Sequence, residues 1–163
     1  MRFLAALLCL GCSQLQLPTQ PRCGAVDVAP GIVATASHCP SYGEPVYRDL
    51  QADLQLVRHK TADVAELQIL PVEAGSQATL RGLDFTVIDP LQTSDGRYFL
   101  RAWPELEPGD SGFGLWANGR LLGVAIGNDG EYAVFVHAGE IQKALKVASG
   151  APIASPVLAF HGR

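Results

Sequence analysis

Charge is scarce in this chain. Asp, Glu, Lys and Arg make up 17% of its 163 residues, and the balance is mildly acidic, with 12 Lys+Arg against 16 Asp+Glu. No run of Lys or Arg supplies the basic stripe that non-specific nucleic-acid binding requires, so no nucleic-acid partner is expected. The chain also lacks a hydrophobic run long enough to cross a bilayer as a helix, which takes about 20 apolar residues. Sequence repeats and low-complexity blocks are absent as well, which excludes solenoids and fibrous arrays. What is present points to a folded core. The chain is 48% hydrophobic, which excludes a largely disordered protein. Its 17 glycines and 11 prolines exceed the usual share and suggest short strands joined by tight turns.

The first residues bear on compartment. Met1 and Arg2 precede an apolar stretch over 3–10 that ends at Gly11-Cys12-Ser13. A positive start, a short apolar run and a small-residue end have the form of a secretory signal peptide, expected here over 1–12. Two cleavage readings stand side by side. Gly11-Cys12 resembles the end of a bacterial lipobox, which would make Cys12 the lipidated mature terminus. Gly11-Cys12-Ser13 also satisfies the small-x-small rule of an ordinary signal peptidase. Either reading gives an exported protein, whether periplasmic, extracellular or lipid-anchored to the envelope, with membrane contact only through an anchor on Cys12. Cys9 leaves with the leader, so Cys23 and Cys39 remain in an oxidising space.

Beyond a polar arm the pattern is strand-like. Residues 24–29 and 32–36 flank Pro30-Gly31, a strong turn signal. Leu54 and Leu56 alternate with polar residues, as do Leu67 and Ile69, then Phe85 and Val87, then Tyr98, Leu100 and Ala102. Asn118-Gly119 and Asp129-Gly130 mark two hairpins. One helix is expected over 139–148, where Ile141, Ala144, Leu145 and Ala148 form an apolar stripe. The tail 151–163, with Pro152 and Pro156, reads as irregular.

Three segments carry the chemistry, and their order matters: Ala34-Thr35-Ala36-Ser37-His38-Cys39, Ala62-Asp63-Val64-Ala65-Glu66-Leu67, and Pro108-Gly109-Asp110-Ser111-Gly112-Phe113-Gly114. Hydrolysis by a serine needs a base for the hydroxyl proton and a carboxylate to orient that base. Histidine suits the base because its ordinary pKa lies near neutrality. Glycines around Ser111 let backbone N–H groups converge on a developing oxyanion. Asp63 is the favoured orienting carboxylate from its Val-Ala-x-Leu context, with Asp53 and Asp49 as alternatives.

In these segments the sequence resembles the chymotrypsin/trypsin-like serine proteases over roughly 23–148. Thr35-Ala36-Ser37-His38-Cys39 is similar to T-A-A-H-C, Asp63-Val64-Ala65 to D-I-A, and Gly109-Asp110-Ser111-Gly112 to G-D-S-G. Cys23-Gly24 stands sixteen residues before Cys39, as the family's C-G does before its histidine-side cysteine. Leu122-Gly123-Val124-Ala125 resembles the substrate-edge strand. The resemblance implies an all-β, reduced double β-barrel with a C-terminal helix, one barrel over 13–74 and a second over 75–150. It implies a trypsin-like serine endopeptidase acting on protein or peptide substrates through an acyl-enzyme, with no cofactor and no metal.

Its roles fall on Ser111 as nucleophile, His38 as general base and then acid, and Asp63 as the orienting carboxylate. The N–H groups of Gly109 and Ser111 would form the oxyanion hole, and Cys23 and Cys39 a disulfide. Glu105, six residues before the serine, would face the specificity pocket and favour a basic side chain. No I-V-G-G segment supplies a new amino terminus for Asp110, so no conventional zymogen step is expected. The spacings from His38 to Asp63 and on to Ser111 are short, so surface loops must be stripped. Phe113 and Gly114 stand where the family has Gly-Pro. A catalytically weak or inactive binding module on the same fold is the alternative reading.

Overall fold

Turn chemistry sets the strand boundaries. In the computed structural model, residues 23–40 and 43–150 are described; the expected leader, Cys12, the polar arm before Cys23 and the tail 151–163 lie outside them. Strands β1 (Val26–Ala29) and β2 (Ile32–Ala36) meet across Pro30-Gly31, with Gly31 at φ +75°. β3 (Glu44–Asp49) and β4 (Leu54–Arg58) complete a sheet of order β1-β2-β4-β3. The two-residue β5 (Glu66–Leu67) follows, then β6 (Gln77–Leu80), β7 (Leu83–Gln92), β8 (Tyr98–Trp103) and β9 (Gly114–Ala117). β10 (Arg120–Asp129) and β11 (Tyr132–His137) lead into α1 (Ala138–Ala148). The Asn118-Gly119 turn joins β9 to β10, with both residues at positive φ, as a tight hairpin turn requires. Arg81-Gly82 does the same between β6 and β7, a turn the sequence reading passed over.

The second sheet runs β11-β8-β7-β6-β9-β10-β5, and antiparallel pairing of β10 with β11 closes six of its strands into a barrel. β5 pairs in parallel with β10, so residues 66–67 join the second sheet although they fall on the first side of the expected boundary at 74. The first sheet shows no closing pair among the described residues. Its apolar face is covered instead by the second half of the chain. One core cluster, including Leu80, Phe85, Leu100, Leu115 and Phe135, fills the barrel. The other joins Val28, Ala34, Leu54 and Leu56 of the first sheet to Leu121, Val124 and Val136 of β10 and β11 and to Ile141 and Ala144 of α1. The helix therefore covers part of the first sheet's apolar face.

β4 differs from its expected alternation. Leu54, Gln55, Leu56 and Val57 are all buried, because Gln55 faces the interior beside the histidine turn. α1 begins with His137 as N-cap, its Nδ1 accepting from Gly139 N–H at 3.0 Å. Burial pushes the His137 imidazole below its ordinary 6.5; the Leu70 carbonyl and Glu140 oppose the shift, and Lys143 adds to it.

Leu56 is fully buried in the shared cluster. Leu56→Ala should cost about 2–5 kcal/mol in urea unfolding and leave one cooperative transition, because both halves rest on that cluster. His137 binds fewer protons folded than unfolded once pH drops below 6.5. Its contribution is therefore full above about pH 6.5 and is lost as pH falls through the depressed folded value. His137→Asn keeps an oxygen for the cap and does not titrate. Unfolding midpoints measured between pH 7.5 and 5 should then fall less steeply than in the unsubstituted chain.

Candidate active site

The turn after β2 carries His38, and β4 ties it down. Cys39 N–H donates to the Ala36 carbonyl at 3.1 Å, and Ser37 N–H to the Asp53 carbonyl at 2.9 Å. Gln55 Nε2 donates to the carbonyls of Ala36 (3.2 Å) and Cys39 (3.1 Å). Asp53, the turn residue before β4, and Gln55 within it both reach the turn that carries His38. Outside the turn, Arg48 donates to the Ser37 carbonyl at 2.6 Å.

The carboxylate that meets His38 is Asp53. Its Oδ2 lies 2.6 Å from His38 Nδ1, while its Oδ1 accepts from His38 N–H at 3.0 Å and from Ser37 Oγ at 2.6 Å. Three such bonds fix the carboxylate and, through it, the plane and tautomer of the imidazole. Asp53 has φ +50°, a left-handed conformation that Asp tolerates better than most residues. Asp63 is not the residue on this ring nitrogen. It is exposed and lines a shallow depression with Asp27, Arg81, Phe113 and Trp116. The reason is topological. β4, which follows Asp53, is the strand hydrogen-bonded to β2, whereas the short strand after Asp63 pairs with β10 in the other sheet. The readable signal was an Asp directly before the Leu-Gln-Leu-Val alternation.

Ser111 is held from both sheets. Gly24 N–H donates to the Ser111 carbonyl at 2.7 Å, and Thr35 Oγ1, fully buried, donates to the Gly24 carbonyl at 2.7 Å. On the other side Gly112 N–H reaches the Ala125 carbonyl of β10 at 2.7 Å, and Ala125 N–H returns to the Phe113 carbonyl at 2.9 Å. Gly112 sits at φ +84°, and a Cβ there would lie 2.0 Å from the Gly24 oxygen and 2.5 Å from Thr35 Oγ1. No other residue fits. The Cys23–Cys39 disulfide then links the segment that grips Ser111 to the turn that carries His38. Cys23, Cys39 and His38 lie close enough together to suggest a metal site, but both sulfurs are spent in that bond.

Among the described residues, the N–H groups of Gly109 (φ +101°) and Ser111 donate to no protein acceptor. No hydrogen bond joins Ser111 Oγ to His38. Asp110 is buried, accepting from Arg81 Nη1 at 3.1 Å and from Glu107 N–H at 3.0 Å. A cationic partner from within the fold thus occupies the carboxylate, so the loop before Ser111 is ordered without a freed amino terminus. The Arg81 guanidinium also lies 4.6 Å from the Phe113 ring centre, and that ring packs against Gly24. Phe113 therefore fills the interface between the sheets. Glu105 is exposed, and no ion pair or hydrogen bond holds it among the described residues.

No family model and no curated protein matches the chain. Solved structures do. The active form of the Rv3671c protease from M. tuberculosis has a TM-score of 0.65 at 20% identity, covering 79% of this chain and 74% of that one. The 2A protease from Human rhinovirus C15 has a TM-score of 0.54 at 17% identity, covering 74% and 98%. The chymotrypsin of Cellulomonas bogoriensis has a TM-score of 0.52 at 21% identity, covering 74% and 86%. The fold is chymotrypsin-like, in a short form.

The disulfide closes a loop of sixteen residues, a length at which a cross-link contributes roughly 3 kcal/mol. The paired Cys23→Ala, Cys39→Ala variant should lose about that much in urea unfolding. Reducing agent should shift the unsubstituted protein by a similar amount and leave the variant unmoved.

Proposed function

We propose that this chain is an exported serine endopeptidase that hydrolyses peptide bonds through an acyl-enzyme on Ser111. The observation that carries the reading is the His38–Asp53 contact at 2.6 Å, on a turn cross-linked to the segment that grips Ser111. In this mechanism His38 takes the Ser111 proton as the hydroxyl attacks the carbonyl carbon. It then gives that proton to the leaving amine, and repeats the cycle with water. Asp53 orients the imidazole and stabilises its charged form. The N–H groups of Gly109 and Ser111 receive the oxyanion, a task in which one donor is worth about 10²–10³ in rate. Asp110, paired with Arg81, keeps the oxyanion loop in shape. Apart from the disulfide, which suits an oxidising compartment, export rests on the expected leader. The described residues contain no helix long and apolar enough to cross a membrane.

A second reading, a protease-fold binding module without turnover, is favoured by one feature: Ser111 and His38 share no hydrogen bond. Resting enzymes often show this contact long, and it tightens when substrate arrives.

A fluorophosphonate probe on the disulfide-intact protein should label Ser111, with labelling abolished by Ser111→Ala. Asp53→Asn should lower peptide hydrolysis by roughly 10⁴, while Asp63→Asn should leave it within about threefold. The opposite pattern would return the orienting role to Asp63. Labelling without peptide cleavage would favour the binding module.

A further inference from the structure

Asp53 is the last residue of the loop 50–53 that joins β3 to β4, with Asp49 and Leu54 paired across its base. The loop shapes itself from within. Asp49 Oδ1 accepts from Gln51 N–H at 2.9 Å and from Ala52 N–H at 3.1 Å. Ala52 is buried in the shared core, whereas Leu50 is 74% exposed. Asp53 itself sits at φ +50°, a conformation that persists only where the surroundings hold it. Its carboxylate bonds to Ser37 and His38, in the same half of the chain. None of these contacts relates the loop to the half that carries Ser111.

Arg97 does. It closes the turn 93–97 between β7 and β8, in the barrel half. Thr93 N–H donates to the Arg97 carbonyl at 2.9 Å, and Arg97 N–H donates to Thr93 Oγ1 at 3.2 Å. From that fixed base the guanidinium crosses to the Asp53 loop. Nη2 donates to Gln51 Oε1 at 2.8 Å and lies 3.4 Å from Asp49 Oδ2. Nη1 stays with its own turn, 3.3 Å from Asp95 Oδ2. Asp49 thus shapes the loop with one oxygen and faces Arg97 with the other. Among the described residues, no other ion pair or side-chain hydrogen bond runs from the barrel half to residues 49–53. Half-exposed ion pairs contribute little to stability, so what a rigid guanidinium fork between two turns supplies is position.

We propose that Arg97 is a positioning residue for the Asp53–His38 pair, setting the loop that carries the carboxylate against the half that carries Ser111. Its effect on rate rests on the acyl-enzyme reading above, while its effect on the histidine ring does not. Losing Arg97 lets the Asp53 loop shift, and the imidazole that Asp53 orients shifts with it. A misplacement of about an ångström costs up to about 10² in rate.

Arg97→Met removes the fork and keeps an aliphatic stem. Against a peptide substrate its kcat should fall by about tenfold or more, with KM within about threefold. Arg97→Lys, which keeps the charge without the fork, should fall between Arg97→Met and the unsubstituted protein. In an Asp53→Asn background, where the carboxylate is already gone, Arg97→Met should cost less than about threefold further. In the Ser111→Ala protein, which does not turn over, Arg97→Met should move the ¹⁵N shifts of the His38 ring, and Arg97→Lys should move them less. An unaltered kcat overturns the proposal, as does a change in KM alone. So does a full loss repeated in the Asp53→Asn background, and so do unmoved ring shifts. Where Arg97→Met lowers the unfolding midpoint, Gln51→Ala takes its place, removing one acceptor at an exposed position. It should then lower kcat and move the ring shifts in the same direction, and leaving both unchanged overturns the proposal. If Ser111 takes no fluorophosphonate and no peptide is cleaved, the acyl-enzyme reading falls alone, and the ring shifts still decide the role of Arg97.

Discussion

Burial of both faces of β10 is the constraint on which the rest depends. Leu122 and Ala125 point into the closed barrel, while Leu121 and Val124 point toward the four-stranded sheet and the helix. β11 divides the same way, with Ala133 and Phe135 on one side and Val134 and Val136 on the other. A strand buried on both faces reads as a continuous apolar run, and Leu121-Leu122-Gly123-Val124-Ala125 is one. Gly123 belongs to it for a steric reason, since a Cβ there would lie 2.5 Å from the Val136 carbonyl oxygen. The same two strands thus serve both cores, and among the described residues the first sheet rests its apolar face on them.

The same sharing explains how the site is held. His38 and Asp53 belong to the four-stranded half and Ser111 to the barrel half. Close contacts join the two: Gly24 on Ser111, Thr35 on Gly24, Gly112 against both, and Ala125 behind. The disulfide closes this ring of contacts covalently. Strain is confined to a few positions that the surroundings hold in place, among them Asp53 at positive φ. Arg81 serves two segments at once, pairing with buried Asp110 and lying against Phe113. Phe113, which stands where the family has glycine, is thus part of the packing between the halves.

Much of this was legible in the residues. The all-β character, the two hairpin turns after Phe113 and the helix from Ala138 follow from local signals, and the Cys23–Cys39 bond is the one that the family resemblance implied. The carboxylate did not. Asp63 has the more suggestive neighbours, and a four-letter match rewards neighbours. Asp53 was chosen by pairing, because it precedes the strand that lies against β2, and pairing between distant strands leaves no mark in a short window. Gln55 was hidden for a related reason. Alternation assigned it to solvent, whereas two turn carbonyls, those of Ala36 and Cys39, take a donor from that side chain.

Sequence by itself determined the class of structure, and its short motifs singled out His38, Ser111 and the two cysteines as candidates, because each motif is written in residues close together along the chain. The tertiary structure decided which carboxylate meets the histidine and that, among the described residues, the apolar face of the first sheet is covered by β10, β11 and the helix. Each of these is a contact between segments far apart in the chain, and only the packed backbone brings such segments within a hydrogen bond's length.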